Sequence, residues 1–175
     1  MIILGIDPGT ARLGFGCISF EKNKTGLVDY GCVETTKDLS DEARLKILYD
    51  ALIKLFKKYQ PDFVAIERLF FFKNQKTVIS VAQARGVALL AVATCKIPLI
   101  EITPLQIKQA VTGYGWAQKL QIQKMIKAIL NLKEIPQPDD ASDALATAIC
   151  GATCINVRGF KKANPVRNST ISVAL

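Results

Sequence analysis

No histidine occurs in the 175 residues, so neither an imidazole metal ligand nor an imidazole general base is available to this chain. Cysteine is sparse and scattered: Cys17, Cys32, Cys95, Cys150 and Cys154 are odd in number and form no CxxC pair. That pattern speaks against a disulfide framework and against a zinc site. Cys150 and Cys154 lie four apart on an expected helix and are read as small core residues. No apolar run approaches the ~20 residues of a membrane span. The longest uncharged apolar stretch, Gly86 to Cys95, is read as a buried helix. The opening Met1-Ile2-Ile3-Leu4-Gly5-Ile6-Asp7 has no basic leader and reaches a carboxylate too early for a signal peptide's apolar segment, so a cytoplasmic protein is expected. No internal repeat is visible.

What is present is half hydrophobic, enough for one domain with a real core. Lys and Arg number 23 against 15 Asp and Glu, a net charge of +8 that favours an anionic partner without choosing among nucleic acid, lipid and small phosphates.

Three apolar stretches, 2–6, Leu13 to Phe20 and Gly26 to Thr35, are separated by turn residues and predict a meander of three strands. Ser40 precedes a helical stripe at Ala43, Ile47, Leu48, Ala51, Leu52 and Leu55 that ends before Pro61. Phe63-Val64-Ala65-Ile66 predicts a strand delivering Glu67, a helix spans about Gln75 to Thr94, and Pro98 to Ile102 form a short strand. Thr103-Pro104 has the cap and first-position residues of a helix broken by Gly113 and Gly115. Gln118 to Leu130 form another, and a last helix runs from Pro138-Asp139 to about Ile155. The order predicts an α/β domain over 1–155, with a mixed sheet flanked by helices. Residues 156–175 contain Arg158, Lys161, Lys162 and Arg167 and no acid, the composition of a mobile basic tail.

Carboxylates end several of these elements. Asp7 closes the first strand in Gly5-Ile6-Asp7-Pro8-Gly9-Thr10, and Glu67 stands where a buried strand runs out, a costly place for an unpaired charge. Asp140 and Asp143 are three apart at the start of the last helix and therefore share a face; Asp139 is read as that helix's cap, pointing elsewhere. Together the three segments supply the hard oxygen ligands suited to Mg²⁺ or Mn²⁺. Two such ions activate a water and stabilise the leaving oxygen in phosphodiester hydrolysis.

Three stretches carry a family resemblance reaching from Met1 to about Ala148. They are Ile3-Leu4-Gly5-Ile6-Asp7-Pro8-Gly9; Ala65-Ile66-Glu67 through Lys73-Asn74, with Gln83-Ala84-Arg85-Gly86-Val87-Ala88; and Asp140-Ala141-Ser142-Asp143-Ala144-Leu145-Ala146. With them the chain resembles the RuvC family of bacterial Holliday junction resolvases. The resemblance implies an RNase H-like fold with a mixed five-stranded central sheet, and a homodimer that makes paired symmetric nicks in a four-way DNA junction during recombination and repair. It implies Asp7, Glu67, Asp140 and Asp143 as metal ligands, and the branch-migration proteins RuvA and RuvB as partners. Lys108 and Lys119 match basic positions near the scissile backbone, and Phe70 an aromatic set against bases at the junction centre. Two departures are the run Phe70-Phe71-Phe72, which leaves open which ring meets DNA, and Trp116 beside the glycine turn, a second stacking surface or a loop anchor.

The stretch Gly5 to Thr10 also resembles the phosphate loop of actin-like ATPases and sugar kinases. Those need a second, similar half, which 175 residues without a repeat do not supply. A nuclease of the same fold acting on RNA or RNA–DNA hybrids is a second alternative, and a catalytically inactive junction-binding protein a third, against which the intact set of four carboxylates speaks.

Overall fold

Odd and even positions of the strands sort the core into two halves. The computed structural model describes residues 1–68 and 78–158. In β1 (Ile2–Asp7) Ile3 packs on one side of the sheet, while Leu4 and Ile6 pack on the other. β4 (Phe63–Glu67) repeats the pattern: Phe63 and Ala65 go with Ile3, Val64 and Ile66 with Leu4. This is the two-residue period of a strand buried on both faces.

β2 (Arg12–Glu21) and β3 (Lys24–Glu34) form the expected meander. Their connection is Lys22-Asn23, both with positive φ (48° and 64°), the primed geometry that matches strand twist in a two-residue hairpin. With β5 (Leu99–Ile102) the sheet order is β3-β2-β1-β4-β5. β1 pairs antiparallel with β2 and parallel with β4, and β4 parallel with β5, which is the mixed five-stranded sheet expected.

One face is covered by α1 (Asp41–Tyr59), through Leu48, Leu52 and Phe56, and by α2 (Val78–Thr94), through Ala84, Ala88, Ala91 and Val92. Ser40 holds the N-cap position of α1, but its side chain makes no capping bond and meets the Glu42 carboxylate instead. Ile47, expected in the stripe, faces outward. The reading of 86–95 as a buried helix is corrected too. Only one side of α2 is covered, and Ile79 (72%) and Leu90 (59%) lie exposed on the other because no second layer packs there among the described residues.

The opposite face carries α3 (Pro104–Thr112), α4 (Lys119–Ile129) and the long α5 (Asp139–Arg158), which runs past Ile155. Thr103 caps α3 as expected: its hydroxyl accepts from the Gln106 amide at 3.2 Å, with Pro104 in the first turn. α5 crosses β1 and β2 at closest approach. A Cβ at Gly5 would sit 2.1 Å from the Ala144 carbonyl oxygen, and one at Gly14 would sit 2.0 Å from that of Asp140. Only glycine at those positions lets the helix backbone lie directly on the sheet. Cys150 is buried in this half of the core and Cys154 packs partly against it, as read from the sequence.

Candidate active site

The strand period that builds the core also aims the acids. Asp7 continues the odd positions Ile3 and Gly5, and Glu67 those of Phe63 and Ala65, so both carboxylates leave the sheet on the α5 face. Their strands are neighbours in register, Ile6 opposite Ile66. α5, held against Gly5 and Gly14, presents Asp140 and Asp143 on the same face from its first turns.

Electrostatics register this convergence. Burial first, then the charges of Asp143, Glu67 and Asp140, push the Asp7 carboxyl from 3.8 up to about 7, against a smaller opposing pull from Lys119. Glu67 is likewise pushed up to about 7 by burial and by Asp143, with Lys108 opposing. Asp143 is raised by burial and partly relieved by Lys119. Four acids thus share one region with too little positive charge to balance them.

Among the described residues no three of these acids stand close enough together to hold an ion as they are. The carboxylates are coupled but not gathered, and one of them is engaged: Lys119 Nζ lies 3.2 Å from Asp143 Oδ2 and 3.1 Å from Asp139 Oδ2. The donor set fits a hard divalent cation all the same. It is all oxygen and contains no imidazole or thiolate, and burial, ahead of mutual repulsion, holds Asp7 and Glu67 above the ordinary carboxylate range, a cost that a bound cation would offset.

Asp139 is not the helix cap that its position in the sequence predicts, nor does it point away. It accepts a hydrogen bond from Gln123 Nε2 at 2.9 Å and pairs with Lys119, which holds its carboxyl below the ordinary range. The helix instead begins from the Pro138 carbonyl, which accepts from the amides of Ala141 and Ser142. For Lys119, burial works against the charge, but the bonds to Asp139 and Asp143 outweigh it and keep the ammonium pKa raised.

Lys108 and Lys119, eleven positions apart in sequence, meet in one cleft of about 230 Å³, lined also by Glu67, Asp143, Ile107 and Ile122. A second, wider cleft, about 570 Å³, reaches Asp140 and is lined by Thr10, Lys37 and the Arg12–Glu34 ion pair (3.0 Å). The acids therefore stand between two clefts, the first with Lys108 and Lys119 on its wall and the second with Lys37. Phe70, Phe71 and Phe72, with Lys73 and Asn74, lie outside the described residues, as does the tail from 159 onward.

Sequence reasoning missed Arg85. From α2 it pairs with Glu101 and donates from Nε to the Glu67 carbonyl at 3.4 Å, tying α2 to the strand end that bears Glu67. The available signal was Glu101 itself, a charge between the buried Ile100 and Ile102 that needs a partner on the α2 side.

A family model described as "Crossover junction endodeoxyribonuclease RuvC" matches residues 3–151. A protein of that description from Fusobacterium nucleatum subsp. nucleatum is 58% identical over 161 residues, covering 92% of this chain and 83% of its own length. Among solved structures, Thermus thermophilus RuvC superposes with a TM-score of 0.83 at 31% identity, over 91% of this chain and 97% of that one. The T. thermophilus RuvC in complex with Holliday junction substrate gives 0.81 at 29% identity, over 90% and 96%.

Proposed function

The chain belongs to the RuvC family of crossover junction endodeoxyribonucleases, with its RNase H-like fold, and from that premise we propose that Asp7, Glu67, Asp140 and Asp143 form its metal-dependent nuclease site. As a Holliday junction resolvase it is an endodeoxyribonuclease acting on four-way DNA. One observation carries the assignment of the site: Asp7 and Glu67 leave adjacent strands on the face where α5 presents Asp140 and Asp143, with Lys108 and Lys119 on the wall of the cleft beside them.

The four carboxylates would hold Mg²⁺, two ions per site, with Mn²⁺ as a substitute. Bound there, the ions supply Lewis acidity that activates water and stabilises the leaving oxygen. The chain's own residues do the rest. Lys108 and Lys119 line the cleft beside Glu67 and Asp143 and meet the negative charge of the bound backbone, and Lys37 adds a cation in the second cleft. Lys119 neutralises Asp143 in the resting protein, and a phosphate entering the cleft competes for its ammonium. Phe70 is the aromatic assigned to bases at the junction centre.

Two protomers related by a two-fold axis would set one site on each of two opposed strands and so make paired symmetric nicks. The exposed apolar side of α2, with Ile79 and Leu90, is a surface suited to that pairing. The nuclease domain is placed at residues 1–155 and a basic extension at 156–175, with α5 continuing to Arg158 across that boundary. The setting is cytoplasmic DNA recombination and repair, with RuvA and RuvB as partners.

The test is cleavage of a labelled synthetic four-way junction in Mg²⁺, with linear duplex and an RNA–DNA hybrid as controls. Two symmetric nicks in the junction alone are expected, and Asp7→Asn should bind the junction without cutting it. Equal cutting of all three substrates would sink the resolvase reading.

A further inference from the structure

Trp116 is the only tryptophan in the chain, and it is 80% exposed. A large apolar ring held in water without packing against its own protein is a costly arrangement, and such rings mark surfaces that something else covers. It is not isolated. Leu105, Tyr114 and Leu120 are exposed in the same α3–α4 region, and Leu105 packs directly over Gly115.

The segment that presents the ring is fixed. Gly113 closes α3 in the left-handed conformation (φ 72°). The Thr112 hydroxyl accepts from the Tyr114 amide at 3.1 Å and shares its one proton between the Lys108 carbonyl at 2.8 Å and the Tyr114 carbonyl at 3.0 Å. Ala117 is buried with its amide on the Tyr114 carbonyl, and Gln118 opens α4 with its backbone amide donating to Gln121 Oε1 at 2.7 Å. Trp116 therefore stands on a turn anchored on both sides, and little ordering is lost when a ligand meets it.

Its surroundings select the ligand. Lys119 follows three residues later, within about 11 Å along the backbone even at full extension, and lines the carboxylate cleft with Lys108. From Ile102 to Lys133 there is no Asp or Glu, while Lys108, Lys119, Lys124, Lys127 and Lys133 fall in that span. An aromatic ring on a purely basic segment beside a phosphodiester-cutting site has the chemistry of a nucleobase platform: lysines take the backbone charge and the ring takes a base face.

We propose that Trp116 is a base-stacking residue that receives an unstacked nucleobase of the strand entering the carboxylate cleft, a second aromatic contact separate from the 70–72 segment. The proposal rests on the junction-nuclease reading given above.

The single tryptophan makes the contact directly observable. The full chain is titrated with an unlabelled four-way junction in EDTA, and the same samples are run in a mobility-shift assay; linear duplex of the same arms serves as control. Indole emission should be quenched in step with the fraction of junction bound, and the duplex should leave it unchanged. Trp116→Ala should bind the junction roughly 5- to 100-fold more weakly, with Trp116→Phe close to the parent. Bound junction with unchanged emission, or an alanine variant that binds as tightly as the parent, overturns the stacking role, leaves the nuclease reading intact, and points to a protein as the patch's occupant. Absence of any junction binding overturns both.

Discussion

Replacing Asp7 by asparagine removes the acid whose ionisation burial and three neighbouring carboxylates oppose. A carboxyl that titrates at 3.8 when unfolded and about 7 when folded binds its proton more tightly in the fold. Its contribution to stability is complete below the unfolded value and is lost as pH rises through the folded one. At pH ~8 the ionised side chain costs on the order of 4 kcal/mol relative to a neutral side chain of the same shape, and at pH ~5 less than about 2 kcal/mol. Both figures are ceilings, because Glu67 and Asp143 share the repulsion. Asp7→Asn, neutral at every pH, should therefore stabilise the metal-free protein, and by more at the higher pH. Urea unfolding of parent and variant in EDTA at the two pH values measures this. Added Mg²⁺ should stabilise the parent and not the variant, since a ligand that binds only the folded state raises its stability. A variant no more stable than the parent at pH ~8, or a gain that does not shrink at pH ~5, would refute the electrostatic account. Cleavage should vanish in the stabilised variant, a trade of stability for function.

Other outcomes follow from the packing. Gly14→Ala should cost about 3 kcal/mol or more and abolish cleavage, because the new methyl meets the Asp140 carbonyl and pushes α5 off the sheet; normal stability by denaturant melt would contradict this. Ser142 is fully buried with its hydroxyl unpartnered among the described residues, so Ser142→Ala should raise stability by about 1 kcal/mol or more with cleavage retained. Lys119→Ala should slow cleavage on the order of a hundredfold. It should also move the acid limb of the pH–rate profile upward, since Lys119 holds the Asp143 carboxyl down; an unmoved limb would detach Lys119 from that acid. A double Ile79→Glu, Leu90→Glu variant should sediment as a monomer where the parent sediments as a dimer, and an unchanged dimer would exclude α2 as the interface.

The acids were legible because each ends an element whose pattern is local. A run such as Phe63 to Ile66 announces a strand, and the charge after it is conspicuous. The helix limits near Pro61, Gly113 and Pro138 were readable for the same reason, since turn and cap chemistry acts over a few residues. What depends on distant chain segments was not. Asp139 looks like a helix cap until Lys119 and Gln123, sixteen or more residues earlier, arrive beside it. Without the family likeness Lys108 and Lys119 are ordinary helix lysines, and only the packing of α3 and α4 beside the acids puts them in one cleft. The apolar composition of 86–95 gave no means of telling a helix covered all round from one covered on a single side.

The odd-even sorting of β1 and β4 makes this site an indexing device. Deleting one residue between Ile2 and Ile6 while the strand keeps its pairing would turn the Asp7 carboxylate through the sheet, toward Leu48 and Leu52, where neither a cation nor a phosphate can reach it. Deleting two would restore the face. Exchanges such as Ile3→Val leave the count intact and should be absorbed by the core. The chain between the start of the sheet and its first acid is thus constrained more tightly in length than in composition, and the same arithmetic governs the residues from Phe63 to Glu67.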